Sequence, residues 1–159
     1  MVKAIPDGYH SVTPYFTVRN AAQAIEFYKT ALGAVEVMRF EMPGGGVAHA
    51  EIQIGDSRIM FGDENPQWGN KSPETLGGAT GGLCIYVDDC DAVFAKALAA
   101  GATVMKPMED QFYGDRSGTV IDPFGHAWTL ATHKEDVSIE EMKRRMEAMM
   151  AQMQSAQAA

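Results

Sequence analysis

The side chains best suited to chemistry fall in a few places along the chain. His49 and Glu51 are two residues apart in Val47 to Ile54, a run that reads as a strand, so they share one face with Gln53. Ala50, Ile52 and Ile54 form the apolar face. An imidazole beside a carboxylate suits proton transfer, ligand orientation or part of a metal site. Spacing leaves open whether that polar face meets solvent or lines a binding site, and it supplies no third metal ligand. Asp110, Tyr113, Asp115 and Arg116 form a dense polar cluster between strands. There Arg116 is suited to grip a carboxylate or phosphate bidentately and Tyr113 to stack on a ring or donate a hydrogen bond. The alternative is a loop held by its own Asp115–Arg116 contacts. His126 follows a turn and opens a strand, where it is an acid–base candidate beside Glu51 or a structural histidine. Trp68 sits in a Gly-, Pro- and Asn-rich stretch, placed to cover a ligand or to anchor that stretch.

These residues must be positioned by the elements around them, and those elements repeat. In the first half, Val12 to Val18 is rich in β-formers. Ala21 to Leu32 then shows helical spacing at Ala24, Ile25, Tyr28 and Leu32, between an Asn20 cap and a Gly33 stop. Extended segments follow at Val35 to Met42, Val47 to Ile54 and Arg58 to Phe61. In the second half, Leu83 to Val87 reads as a strand and Asp91 to Ala100 as a helix capped by Asp88-Asp89. Thr103 to Met105, Thr119 to Ile121 and Ala127 to Ala131 read as strands. Each half is therefore β-α-β-β-β, a half-sheet with a helix on one face.

The expected fold class is α+β: two paired β-α-β-β-β modules forming an open, barrel-like cup, plus a C-terminal amphipathic helix. Residues 1–135 form a single domain, with repeat 1 at about 11–62, a linker at 63–80 and repeat 2 at about 81–132. Ser138-x-x-Glu141 is a capping box. It opens a helix over 138–153 whose stripe of Ile139, Met142, Met146, Met149 and Met153 is expected to pack on the domain or on a partner chain. Residues 154–159 read as a frayed tail.

A chain of 159 residues can build one real core. Its net charge of -8 argues against nucleic acid as a partner. No apolar run approaches the roughly 20 residues of a membrane helix. Met1 to Tyr9 lacks the pattern of a secretory signal, so a cytoplasmic location is expected. Cys84, in an apolar run, reads as a small core residue, and no disulfide with Cys90 is expected.

Several runs resemble the vicinal oxygen chelate superfamily, the glyoxalase, bleomycin-resistance and extradiol dioxygenase group. They are Tyr15-Phe16-Thr17-Val18 with Ala24 to Lys29 and Leu32-Gly33; Val87 to Ala92 with Ala99 to Ala102; Phe112 to Gly118; and Asp122-Pro123-Phe124-Gly125-His126. The resemblance covers about Val12 to Thr132. It implies a ligand inside the cup and, commonly, a homodimer. Metal-dependent relatives hold their metal at matching points of both repeats, which here fall on Thr13, Met60, Gly82 and Thr129. A threonine hydroxyl, a glycine and a thioether are not a donor set for a zinc-like ion, so no metal cofactor is expected.

The resulting expectation is a small-molecule-binding protein without the usual metal centre, possible cargo being an antibiotic or a metabolite. His49, Glu51, Met60, Trp68, Tyr113, Asp115 and Arg116 are the expected ligand contacts. The alternative is a glyoxalase-like lyase, isomerase or dioxygenase with a displaced metal, or a metal-free acid–base enzyme using Glu51 and His126.

Overall fold

The computed structural model describes residues 2–157. Two four-stranded sheets form, each with a helix on one face. In the first module, β1 (Tyr15–Val18), α1 (Ala21–Leu32), β2 (Val35–Glu41), β3 (Val47–Ile54) and β4 (Ser57–Asp63) give the strand order β1-β4-β3-β2. After a linker comes α2 (Pro73–Leu76). The second module is β5 (Gly82–Tyr86), α3 (Cys90–Ala99), β6 (Thr103–Asp110), β7 (Asp115–Ile121) and β8 (Ala127–His133), in the order β5-β8-β7-β6. α4 (Ile139–Gln157) follows. In each module the first strand pairs parallel with the last, and the remaining pairs are antiparallel.

α1 forms because Asn20, at φ 67°, accepts the Gln23 N–H, while Gly33 ends the helix at φ 68°. Asp63 adds to this start: its Oδ1 accepts the Ala21 N–H at 2.6 Å and its Oδ2 the Val47 N–H at 2.7 Å. The helix buries Ile25, Phe27, Tyr28 and Leu32 against Ile52, Ile59 and Phe61. α3, capped by the Asp89 carboxylate, covers the second sheet in the same way, and the two helices pack on each other. The modules also meet where Phe16 contacts His126 and Trp128.

Several boundaries differ from the sequence reading. β1 begins only at Tyr15, after Pro14, which has no N–H to give a ladder. β6 extends past Met105 to Asp110, through Pro107, with register shifts between Val104 and Lys106 and between Lys106 and Glu109. It is one of the two edge strands of its sheet. β7 starts at Asp115, so Asp110, Asp115 and Arg116 occupy strand ends and Tyr113 lies in the loop of residues 111–114. The linker holds a 3-10 turn, Pro66–Trp68, and the short α2, whose cap Ser72 is fastened to Glu64. α4 opens with the Glu141 N–H on Ser138 Oγ and runs to Gln157, so residues 154–157 are helical rather than frayed. Ala158 and Ala159 lie outside the described residues. The α4 stripe is open to solvent at Ile139, Met146, Met149 and Met153, and Met150 beside it is exposed too. Among the described residues, no helix is long and apolar enough to cross a membrane.

Candidate functional site

β3 and β4 alternate across the first sheet. Ala50, Ile52, Ile59 and Phe61 face α1 and are buried. His49, Glu51, Arg58 and Met60 therefore face away from the helix, toward the cup. The ladder sets Met38, Glu51, Met60 and Tyr15 in one row across this wall.

A connected network covers it. The His49 Nε2–H donates to Glu51 Oε1 at 3.1 Å, and the Tyr15 hydroxyl meets His49 Nδ1 at 3.2 Å. The other Glu51 oxygen accepts from the Tyr9 hydroxyl and, at 3.4 Å, from Arg58. Arg58 also donates to the Tyr9 oxygen at 3.0 Å and lies over the Tyr9 ring. Burial works against the Glu51 charge, yet the hydrogen bonds from Tyr9, His49 and Arg58 hold its carboxyl below the usual carboxylate range. Glu51 is therefore an anion at neutral pH.

The second module carries a different wall on the equivalent face. There Asp115, Ser117 and Thr119 are buried on the side of β7 away from α3. The Tyr86 hydroxyl donates to Asp115 Oδ2 at 2.7 Å, and His133 Nδ1 meets Asp115 Oδ1 at 2.7 Å. His133 Nε2 meets Asp136 at 3.0 Å. Both contacts raise the His133 pKa above its ordinary value. The Asp115 hydrogen bond, with burial, pushes Tyr86 up to about 12. Tyr113 faces Ser117 Oγ at 3.3 Å, and Thr119 faces Thr129 at 2.9 Å.

Between the modules lies a cavity of about 510 Å³. Val12, Thr13, Pro14 and Arg58 line it from the first module, and Cys84, Ile85 and Tyr86 from the second. Cys84 is exposed there instead of packed in the core, because Leu83 and Ile85 take the helix-facing positions of β5. Burial, then Asp115, raise its thiol pKa, so it is protonated at neutral pH and a weak nucleophile.

The expected contacts thus divide. His49, Glu51 and Met60 share the first wall, and Tyr113 and Asp115 the second. Arg116 turns the other way, toward α3, with Nε on Asp91 at 2.7 Å and Nη1 on Asp110 at 3.1 Å. Asp110, Asp115 and Arg116 meet instead along a separate cleft of about 490 Å³ that also includes Lys134 and Glu135. Trp68 is exposed on the linker turn. His126 does not meet Glu51. Its Nε2 contacts the Thr17 carbonyl at 2.9 Å, and its ring lies against Phe16, joining the modules. Tyr9, Tyr15, Arg58, Tyr86 and His133 were not anticipated. Strand parity would have found Arg58, which shares the face of Met60, while Tyr9 is brought to the wall by the fold of the segment before β1.

Two of the four expected metal positions, Met60 and Thr129, sit opposite Tyr15 and Cys84 in the two parallel ladders. One offset relates Tyr15 to Cys84 and Met60 to Thr129, the pairs in register, and the same offset relates Thr13 to Gly82. A side chain at position 82 would put its Cβ 2.8 Å from the Ala127 carbonyl oxygen. Among the described residues, no three His, Cys, Asp or Glu side chains converge. The residues present do not fit the metal of the metal-dependent relatives.

A sequence profile described as glyoxalase/bleomycin resistance protein/dioxygenase superfamily matches residues 9–130. The protein Rv0887c of Mycobacterium tuberculosis, strain H37Rv, is 42% identical over 139 residues, covering 86% of this chain and 82% of its own. Among solved structures, TioX from Micromonospora sp. ML1 superposes with a TM-score of 0.61 at 20% identity, covering 81% of this chain and 100% of TioX. The fosfomycin resistance protein FosX from Listeria monocytogenes, complexed with Mn(II) and sulfate, superposes at 0.60 with 14% identity, covering 83% and 95%. These two likenesses concern the fold. With the duplicated modules, the ordered motifs and a profile match over most of the chain, the protein belongs to the glyoxalase/bleomycin resistance protein/dioxygenase superfamily.

Proposed function

We propose that this chain binds a small organic molecule in the cup and cavity shared by its two modules, sequestering an antibiotic or a metabolite, without a metal at the positions that metal-dependent relatives use. The observation that carries this reading is the cavity of about 510 Å³. Its size suits a drug-sized ligand, and its mix of apolar walls with a few polar groups is that of a ligand pocket. Val12, Pro14 and Ile85 supply apolar burial, while Arg58, Thr13 and Tyr86 supply orientation. The antibiotic class is tried first because the superfamily includes members named for resistance.

A thermal-shift screen of antibiotics and metabolites tests it, since a ligand that binds only the folded state raises the melting temperature. Compounds that shift the native chain are expected to lose their effect in Cys84→Phe, which fills the cavity. Shifts that persist in Cys84→Phe would place binding elsewhere, and a screen without shifts would defeat the reading.

Acid–base catalysis is a second reading, favoured by the His49–Glu51 contact at 3.1 Å. It runs through His49, because His126 is held at Thr17. A stoichiometric transition metal in the purified protein would favour the displaced-metal version over both.

Self-association is part of the proposal. Val104 and Met105 on β6 and the α4 methionines leave apolar side chains exposed for a second copy to cover. Light scattering is expected to give twice the mass of one chain.

A further inference from the structure

The sequence has five tyrosines, and what their hydroxyls face sorts them. Tyr9 donates to Glu51 and Tyr86 to Asp115. Tyr28 is buried and donates to Asp122. Tyr113 faces the Ser117 hydroxyl. Tyr15 alone among the described residues faces an imidazole, that of His49.

The tautomer of His49 follows by elimination. Ionised Glu51 can only accept, so His49 Nε2 carries the proton it donates. When the ring is neutral, Nδ1 holds the lone pair and the Tyr15 hydroxyl is its donor. A proton passed from Tyr15 to His49 makes an imidazolium whose charge lies against Glu51. By reference values, a phenol gives a proton to an imidazole across a gap of about 3.5 pH units, against about 6 to a carboxylate. Tyr9 and Arg58 occupy the far oxygen of Glu51 and leave Oε1 for His49. Phe40 lies along another side of the imidazole ring.

We propose that Tyr15, His49 and Glu51 form a proton-transfer relay on the cup wall, in which Tyr15 takes a proton from a ligand bearing an acidic hydroxyl or a C–H beside a carbonyl. The relay rests on the ligand reaching the sheet face of the cup, because Tyr15, His49 and Glu51 are not among the residues that line the cavity itself. The Tyr15 proton moves to His49 Nδ1, and the phenolate oxygen then takes the ligand proton. The products are the ligand anion, a neutral Tyr15 and an imidazolium, with no change in oxidation state. Tyr15 is the group that touches the ligand; Glu51 is a positioning residue.

Benzenesulfonyl fluoride tests the relay on the full chain at pH 7.5. The Tyr15 oxygen forms a bond to sulfur, the S–F bond breaks, fluoride leaves, and the phenol proton goes to His49. Tyr86 is the internal control, because it is 63% exposed against 56% for Tyr15 and faces a carboxylate instead. Peptide mass spectrometry is expected to show Tyr15 sulfonylated at least tenfold faster than Tyr86. In His49→Gln the Tyr15 rate is expected to fall to that of Tyr86, with the melting temperature confirming the fold. Equal rates in the native chain, labelling of His49 in place of Tyr15, or a Tyr15 rate unmoved by His49→Gln would each overturn the relay. If His49→Gln does not fold, the rate ratio in the native chain decides alone. A thermal-shift screen with no ligand response but the sulfonylation pattern intact would overturn the cup as the ligand site, and with it the ligand step, while leaving the Tyr15-to-His49 proton transfer standing.

Discussion

The Tyr28 hydroxyl, from α1 of the first module, donates to Asp122 Oδ2 of the second at 2.8 Å. The same oxygen accepts the Trp128 indole N–H at 2.8 Å, and Oδ1 accepts the backbone N–H groups of Phe124 and His126 at 2.9 Å. One buried carboxylate thus joins the modules. Asp122→Ala strands four donors, three of them buried, at a cost of about 3–5 kcal/mol, the usual penalty for breaking such a cluster. A fall in melting temperature of about 10 °C is expected by calorimetry. A change within 2 °C or so would mean that water replaces the carboxylate without loss.

Arg58 tethers the N-terminal segment through Tyr9 and balances Glu51, which is 4% exposed. Arg58→Ala is expected to cost about 2–4 kcal/mol, mostly from leaving the Glu51 charge unpaired. It should also speed proteolysis before Tyr15 several-fold. Cleavage at the native rate would show that the segment is held by something other than Arg58.

His133 makes stability depend on pH. Its pKa is raised by its hydrogen bonds to Asp115 and Asp136. A raised folded-state pKa contributes stability that is full below the unfolded value of about 6.5 and is lost as pH rises through the folded value. The native chain is therefore expected to exceed His133→Gln in melting temperature at pH 5.5, with the gap closing on the alkaline side. A gap that widens with pH would contradict the charged pair.

Gly114 sits at φ 100°, and a Cβ there would overlap the Glu135 carbonyl. Its own carbonyl accepts the Lys134 and Glu135 N–H groups at 2.9 Å. Gly114→Ala is expected to cost about 2–4 kcal/mol from strain and overlap. Hydrogen exchange in residues 134–138 should quicken, because Glu135 also grips Arg145 of α4. Unchanged protection there would separate this turn from the placement of α4.

The repeat was legible because periodicity and caps are local. Asn20, Gly33 and Asp89 mark helix ends where the structure has them. The alternation of His49 and Glu51 with Ala50 and Ile52 was legible too, but which face met the cup depended on where α1 packed. The polar cluster was harder. Asp115 and Arg116 are adjacent, so once both lie in β7 their side chains must leave by opposite faces. Reading them as loop residues hid that. His133 has Asp136 nearby, but its buried partner Asp115 lies on the neighbouring strand, which spacing does not reveal. Cys84 was misplaced because an apolar run does not say which alternate residues face the helix.

Pro107 gives β6 a further consequence. A strand from another molecule could extend the second sheet only by finding an unbroken row of N–H and C=O groups along this flank. Pro107 has no N–H, and two slips in register bend the row. Fibre-like growth by strand addition along this flank is therefore disfavoured.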